Sequence, residues 1–518
     1  MSDIVEDSAR GAFFLFTGNA LQVVILAVYS IVVARLLGAN GFGLYSLSLV
    51  IPSILAGLVD LGVSQAITRF SAKLKSEGKN QLAANVLKAG FIFELMVGAA
   101  MSVVCFIFSD AFATYILKRP EIGLLIKLAS PLILLQTVST AMNSAFIGLD
   151  KTQGSAVVMN TQAIVKTILA PILIVFGFGI FGAVAGHVMG QMIAVAAGSL
   201  ILYKYYKGLG KSFNANFSAD LRTMLGYGFP LYLSALLGLI LTQSQNIILA
   251  FFVSNVEIGN FSVAVNLSSI VNLLVFPLGA LFATFSKVNP NSDELKKFFK
   301  LSVKYTALLV IPTAVIVATL SKDLVYTFYG RGFSLAPAFL SFYVLTFLYT
   351  GVGSIVLSYL LLGVGETRII FKSAIVSLLI FLPLASQLTM IYGVLGLIVA
   401  LLVSGGISLA YSLHLTIKKT KIEIDYNSSI RICFASLLSA IPVSAFLYVS
   451  PFSSPFNLAI SGSLFLLAYL TIIPFFGAIT KTDLEILMQV FSKLRVVWPL
   501  IKPVFAYEAK LISAYNSK

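Results

Sequence analysis

The chain has 518 residues, 58% of them hydrophobic and 11% charged, with a net charge of +15 and a mean hydropathy of +0.98. A water-soluble domain of this length cannot hide that much apolar surface, so soluble classes are excluded. Cys105 and Cys433, with His187 and His414, are spaced wrongly for a disulfide framework or a metal site, and the basic residues form no nucleic-acid patch.

The N-terminal MSDIVEDSAR is acidic. No small-residue cleavage site follows the first apolar run, so that run reads as a retained span and not a signal peptide. Crossing about 30 Å of hydrocarbon takes about 20 apolar residues. Runs of that kind lie at roughly 12–34, 43–66, 86–109, 122–147, 155–177, 180–203, 229–253, 258–285, 301–320, 337–361, 369–391, 393–416, 430–450 and 456–476. The expected fold class is therefore an all-α integral membrane protein of about fourteen transmembrane helices. The seams at Phe176–Gly179 and Ile391–Gly393 are the tightest.

Charge sets an orientation. With the N-terminus inside, Arg69, Lys73, Lys75, Lys79, Lys204, Lys207, Lys211, Arg222, Lys287, Lys296, Lys297, Lys300, Lys418, Lys419, Lys421 and the C-terminal tail fall in the cytoplasm. Arg35, Lys118, Arg119, Lys322 and Arg331 fall outside. That is about 24 basic residues against about 5, as the positive-inside rule requires. Both termini are expected in the cytoplasm of a multi-pass protein of the plasma or inner membrane.

A repeat divides the spans. Residues 34–74 return about 215 positions later, in 250–288: Gly43, Tyr45, Ser46, Ser53 and Thr68 fall on Gly259, Phe261, Ser262, Ser269 and Thr284. GLDKT at 148–152 echoes GVGET at 363–367. An even number of spans separates the copies, so they are parallel repeats. The expected divisions are an N-terminal lobe at 1–205 and a cytoplasmic linker at 206–228. A second six-helix lobe follows at 229–417, then two extra helices at 418–476. The tail at 477–518 carries Leu484, Leu487, Val490, Phe491, Leu494, Val497 and Trp498 at helical spacing, as an interfacial amphipathic helix would.

ARLLGANGFGLYSLSLVIPSILAGLVDLGVSQAITRFSA, its echo, and the two lobes with two added helices resemble the polysaccharide-export branch of the multidrug/oligosaccharidyl-lipid/polysaccharide flippase superfamily. The resemblance covers nearly all of residues 8–476. It implies facing lobes, alternating access, lipid-linked saccharide cargo and a lipid-tail groove at the two added helices. Relatives often carry an Asp in the middle of the seventh span; here Asn246 stands near that place.

Polar side chains inside the spans are the candidate transport path. The first span offers Asn19 and Gln22, the seventh Gln243 and Asn246, the eighth Asn266. Their structural alternative is hydrogen bonding between helices. Four charges lie in the first lobe's spans: Asp60, Glu94, Lys127 and Lys166. A lysine at the bilayer centre costs roughly 2.5–3.5 kcal/mol on insertion scales, so Lys166 should face a wet cavity or a partner. Lys127 can snorkel outward. Lys166 lies in a stripe with Ser155, Met159 and Gln162, at four-, three- and four-residue spacing. The expected head-group and sugar contacts are Lys166, Gln162, Lys127, Asn19, Gln22, Gln243, Asn246 and Asn266. Glu94 is the expected partner of an empty Lys166, and Asp60 with Glu94 is the candidate ion-coupling pair. Pro52 and Pro277 should bend the second and eighth spans.

No Walker A lysine, His/Cys cluster or large soluble domain is present, so neither an enzyme nor a lone ATP-driven pump is expected, and no cofactor. The leading expectation is a flippase carrying a polyprenyl- or dolichyl-(pyro)phosphate-linked oligosaccharide to the outer leaflet for glycan biosynthesis. Its expected partners are that lipid-linked substrate, membrane lipids, and glycan polymerases or glycosyltransferases. Moving two negative charges outward across ~100 mV gains about 4–5 kcal/mol, so membrane potential alone can drive export. The alternative is a multidrug-type cation antiporter, which needs membrane-buried carboxylates; the first, seventh and eighth spans contain none in their cores.

The orientation is checked by cysteine labelling of intact cells in a background lacking Cys105 and Cys433. A cysteine at Lys118 is expected to react with an impermeant reagent and one at Lys207 to stay unlabelled; the reverse pattern inverts the topology.

Overall fold

The computed structural model describes residues 2–209, 216–275, 281, 285–286, 288, 292–492 and 498–516. Pro277, Thr284, Lys211, Lys287, Leu494 and Val497 lie outside the described residues. Among those described, eight helices are long and apolar enough to cross a membrane, or up to ten if two bent pairs are each one span. Three of the eight, Thr17–Val59, Thr152–Gly208 and Thr367–Thr420, each hold two of the expected spans. Every expected span except the eighth, which runs into undescribed residues, is found as helix.

Glycines mark where each of these long elements breaks into two helices. Gly38 (φ 66°), Gly177 (φ 93°), Gly179 (φ 51°) and Gly393 (φ 58°) reverse the chain without a loop. A side chain at such a φ meets its own backbone, and glycine does not. The two tight seams expected from the sequence are hairpin turns of this kind.

The chain forms two compact units. The first comprises Met1–Asn266 with Leu378–Ala400. It contains α1 (Ser2–Ser48), α2 (Val50–Val59), α3 (Val63–Ser76), α4 (Asn80–Ile107), α5 (Gly123–Ala129) and α6 (Pro131–Gly148). It also holds α7 (Thr152–Leu173), α8 (Gly179–Gly208), α9 (Phe217–Phe252) and the first half of α10 (Asn255–Val275). Its apolar core gathers Val63, Ile67, Leu87, Phe93, Met142 and Phe146. Pro52 sits in the first turn of α2, just past the break at Leu49, where a missing N–H costs little. The helix that carries the seventh span starts at Phe217, inside the stretch expected as linker. Asn216 caps it by accepting the Ala219 N–H at 3.2 Å, and Asp220 complements the first turn.

Two glycine pairs let backbones touch inside this unit. A methyl group at Gly43 would lie 2.0 Å from the Asn255 carbonyl oxygen, and one at Gly259 would lie 1.9 Å from that of Ala39. Gly62 and Gly228 meet in the same way, at 2.1 and 2.0 Å. Beside the first pair, Arg119 donates from Nε to Asn255 Oδ1 (2.6 Å) and from Nη2 to the Val253 carbonyl (2.7 Å).

The second unit comprises Leu267–Ser377 and Leu401–Lys518. It holds α11 (Asp293–Thr319), α12 (Ser321–Phe328), α13 (Ala336–Tyr343), α14 (Ser354–Val364) and both ends of α15 (Thr367–Thr420). The two added helices are α16 (Tyr426–Val449) and α17 (Ser454–Phe475), and the tail forms α18 (Lys481–Phe491) and α19 (Trp498–Asn516). Ile311, Val315, Ile432, Val443, Phe465 and Ile473 build the core under the added helices. The tail is anchored at Asp483, which caps α18 through Thr480 (2.6 and 2.8 Å), pairs with Lys304 and accepts from Tyr305 (3.2 Å).

Two outcomes follow. Gly259→Val puts a side chain into a backbone carbonyl that cannot step aside; such overpacking costs about 1–3 kcal/mol, so the purified variant should melt at a lower temperature. Burial raises the Asp483 carboxyl, but the Lys304 ammonium and the Thr480 donors outweigh it and hold it below its ordinary 3.8. Docking of the tail is then fully supported above that range and lost as pH falls through it. Trp498 is the only tryptophan. Its emission should change as pH falls through that range. Asp483→Asn should give the released signal at neutral pH.

Candidate functional site

The first unit carries two polar clusters. One is built by α1, α7 and α8. Small residues bring these helices close: Gly186 faces the Ala170 backbone at 2.5 Å and Gly190 faces the Lys166 backbone nitrogen at 3.0 Å, distances measured from where a methyl would sit. Gly18 faces Ala156 in the same manner, at 2.8 Å.

Lys166 is buried, 8% exposed. Its Nζ lies 4.2 Å from the centre of the Tyr29 ring. Tyr29 donates its hydroxyl to Tyr45 at 2.7 Å, and the Tyr45 hydroxyl is 3.2 Å from His187 Nδ1. With its own oxygen accepting from Tyr29, Tyr45 has its proton to offer Nδ1. The result is a continuous chain from an ammonium, over an aromatic face, through two phenols to an imidazole. Lys166 forms no ion pair among the described residues. A cation–π contact supplies about 0.5–2 kcal/mol, which holds the ammonium without neutralising it.

The second cluster surrounds a cavity of about 280 Å³, lined by Ser53, Gly57 and Asp60 on the α2 side, Gln136 and Thr140 on α6, and Tyr232 on α9. Tyr232 donates to the Leu58 carbonyl at 3.4 Å. Asp60 Oδ1 accepts the Ser64 backbone N–H at 2.9 Å. Glu94, fully buried on α4, has Asp60 as its charged neighbour.

Several expected contacts take different partners. Glu94 does not hold Lys166: the carboxyl faces Asp60 and the ammonium faces Tyr29, so the expected resting pair is absent. The helical stripe on α7 is also divided among neighbours. Ser155 donates to Asn143 on α6 (3.0 Å), while Gln162 is half-buried one turn before Lys166. On α1, Gln22 donates to the Met159 carbonyl at 3.5 Å, a bond between helices, and Asn19 is half-buried. Asn246 donates to Gln243 on its own helix at 3.1 Å. Asn266 donates to the Ser30 hydroxyl at 2.8 Å, tying α10 to α1. Lys127 is half-buried with Nζ 4.6 Å from the Phe106 ring.

Sequence reasoning missed Tyr29 and His187 and read Tyr45 only as part of the repeat. The available signal was a membrane-centre lysine flanked by spans that each contribute one phenol or imidazole.

The family described as polysaccharide biosynthesis protein matches residues 8–289. The chain is 22% identical over 350 residues to the succinoglycan biosynthesis transport protein ExoT of Rhizobium meliloti (strain 1021), covering 67% of each. A solved structure of the lipid II flippase MurJ in an inward closed conformation superimposes with a TM-score of 0.73 at 17% identity, over 89% of this chain and 98% of that one. An inward-facing multidrug resistance MATE family transporter of the MOP superfamily gives 0.64 at 16%, over 77% and 96%. At these identities the solved structures share the fold.

Proposed function

This chain belongs to the polysaccharide biosynthesis protein family, and on that premise we propose that it moves a polyprenyl- or dolichyl-(pyro)phosphate-linked oligosaccharide from the cytoplasmic to the outer leaflet. It is a multi-pass membrane transporter of flippase type, not an enzyme. The cargo's lipid carrier, the plasma or inner membrane as its site, and glycan polymerases or glycosyltransferases as its partners are parts of the proposal. So is the division into six-helix lobes at 1–205 and 229–417.

The observation that carries the reading is Lys166: a buried lysine on the fifth span with no carboxylate paired to it among the described residues. A site left cationic in a low-dielectric interior favours an anionic head group. A hydrogen bond to a charged group supplies about 1.5–3 kcal/mol, and charge-assisted pairs are stronger than neutral ones. A phosphate oxygen therefore displaces the Tyr29 ring as the partner of Nζ. Gln162, one turn away, is placed to bind a second oxygen or a sugar hydroxyl. Tyr29 and Tyr45 keep the released ring face and its hydroxyl chain within the protein.

A second reading, exchange of a small organic cation, draws on the Asp60–Glu94 carboxyls beside a cavity and on the fold shared with the MATE transporter. The unpaired lysine argues against a cationic cargo.

Proteoliposomes with fluorescent lipid-linked glycans test the proposal. Lys166→Ala should abolish flipping while the protein inserts and accumulates normally. Lys166→Arg should retain part of it, since charge survives and geometry changes. Normal transport by Lys166→Ala, or loss explained wholly by lost accumulation, makes the lysine structural.

A further inference from the structure

Asp60 and Glu94 arrive from different helices in unequal surroundings. Asp60 follows the last turn of α2, where Leu61 (φ 46°) and Gly62 (φ 86°) make the sharp turn into α3. Its Oδ1 takes the Ser64 N–H at the start of α3, while its other oxygen is left for the cavity side. Glu94 is 0% exposed, and neither of its oxygens receives a hydrogen bond. Among the described residues no lysine or arginine pairs with either carboxyl.

The neighbours do not compensate the pair. From α9 comes the Tyr232 phenol, which donates to the Leu58 carbonyl. From α6 come Gln136, Thr137 and Thr140, which are uncharged. From α3 come Ser64 and Thr68, the latter donating to the Ser144 carbonyl. The nearest basic group along α3, Arg69, lies 4.1 Å over the Tyr227 ring. Two adjacent carboxylates, one of them without a donor, cannot both stay charged away from water. As carboxylates they offer only acceptors to each other; one added proton turns the contact into a charge-assisted O–H···O⁻ bond.

We propose that Asp60 and Glu94 form a proton-binding site, with Asp60 facing the cavity and Glu94 holding the proton behind it. The proton comes from cavity water, passes by way of Asp60, and ends on Glu94, whose O–H donates to the free Asp60 oxygen. No electron moves and no co-reactant is needed. Loss of the proton leaves two facing negative charges, which drive the end of α2 away from α4. The site stands apart from the cargo reading, and its test uses no cargo.

The test is infrared difference spectroscopy of the full-length protein in lipid nanodiscs, titrated from neutral to acid and alkaline pH in H₂O and D₂O. The wild type should show, at neutral pH, a protonated-carboxyl band that moves in D₂O and is missing from Glu94→Gln. Asp60→Asn removes the like charge, so the midpoint of the Glu94 band should fall by about one pH unit or more, a tenfold change in the proton concentration required. If Glu94→Gln does not accumulate, the midpoint in Asp60→Asn decides alone. Absence of such a band at neutral pH, or an unmoved midpoint in Asp60→Asn, overturns the proposal. Loss of the band on adding Na⁺ at fixed pH also overturns it, because the ligand would then be a metal cation.

Discussion

Hydrocarbon offers no water to an unpaired N–H or C=O, and this constraint governs the molecule. It forces the backbone into helices and leaves few ways to join them. Gly177 and Gly179 join α7 to α8 by turning the chain at positive φ, and Gly393 does the same within α15. It also makes each buried polar side chain costly unless a neighbouring helix supplies its partner. Gln22, Asn160 and Thr167 meet this demand by pinning α1 to α7, through carbonyls of Met159, Gly18 and Ile25. Lys166 and Glu94 do not meet it with an opposite charge, which is why function is assigned to them.

The spans were legible because length and hydropathy are local properties. Twenty apolar residues in a row announce a helix whatever lies beside them. The seams were legible for the same reason, since a glycine between two apolar runs is a local feature. The start of α9 at Phe217 is not visible in hydropathy. Asn216 and Asp220 are polar because they open a helix, and they read as a linker when only hydropathy was weighed.

Side-chain partnership was much less legible. Lys166 meets Tyr29 across a sequence separation that no period of 3.6 residues encodes, and Tyr29 is counted among the hydrophobic residues of the chain. His187 carries no signal in the sequence, because its spacing from His414 is wrong for a metal, whereas its use here is to end a hydroxyl chain. Glu94 was matched to the only cation at a similar depth. The actual neighbour, Asp60, is of like sign, and sequence pairing by opposite charge cannot find such a pair.

The Gly43–Gly259 contact joins positions that the repeat makes equivalent, and its geometry is reciprocal. Gly43 presses on Asn255 while Gly259 presses on Ala39, and these two partners are also equivalent. Contact of i with j matched by j with i is the signature of an isologous interface, the kind formed by two identical subunits about a two-fold axis. A local two-fold axis therefore passes between the glycines. A residue larger than glycine at either position strikes a backbone carbonyl. The side chains beside the contact are not equivalent: Asn255 accepts from the Arg119 guanidinium, and Ala39, at the corresponding place in the other copy, has no side chain with which to accept it. The axis holds for the backbone, and the side chains beside it are directional.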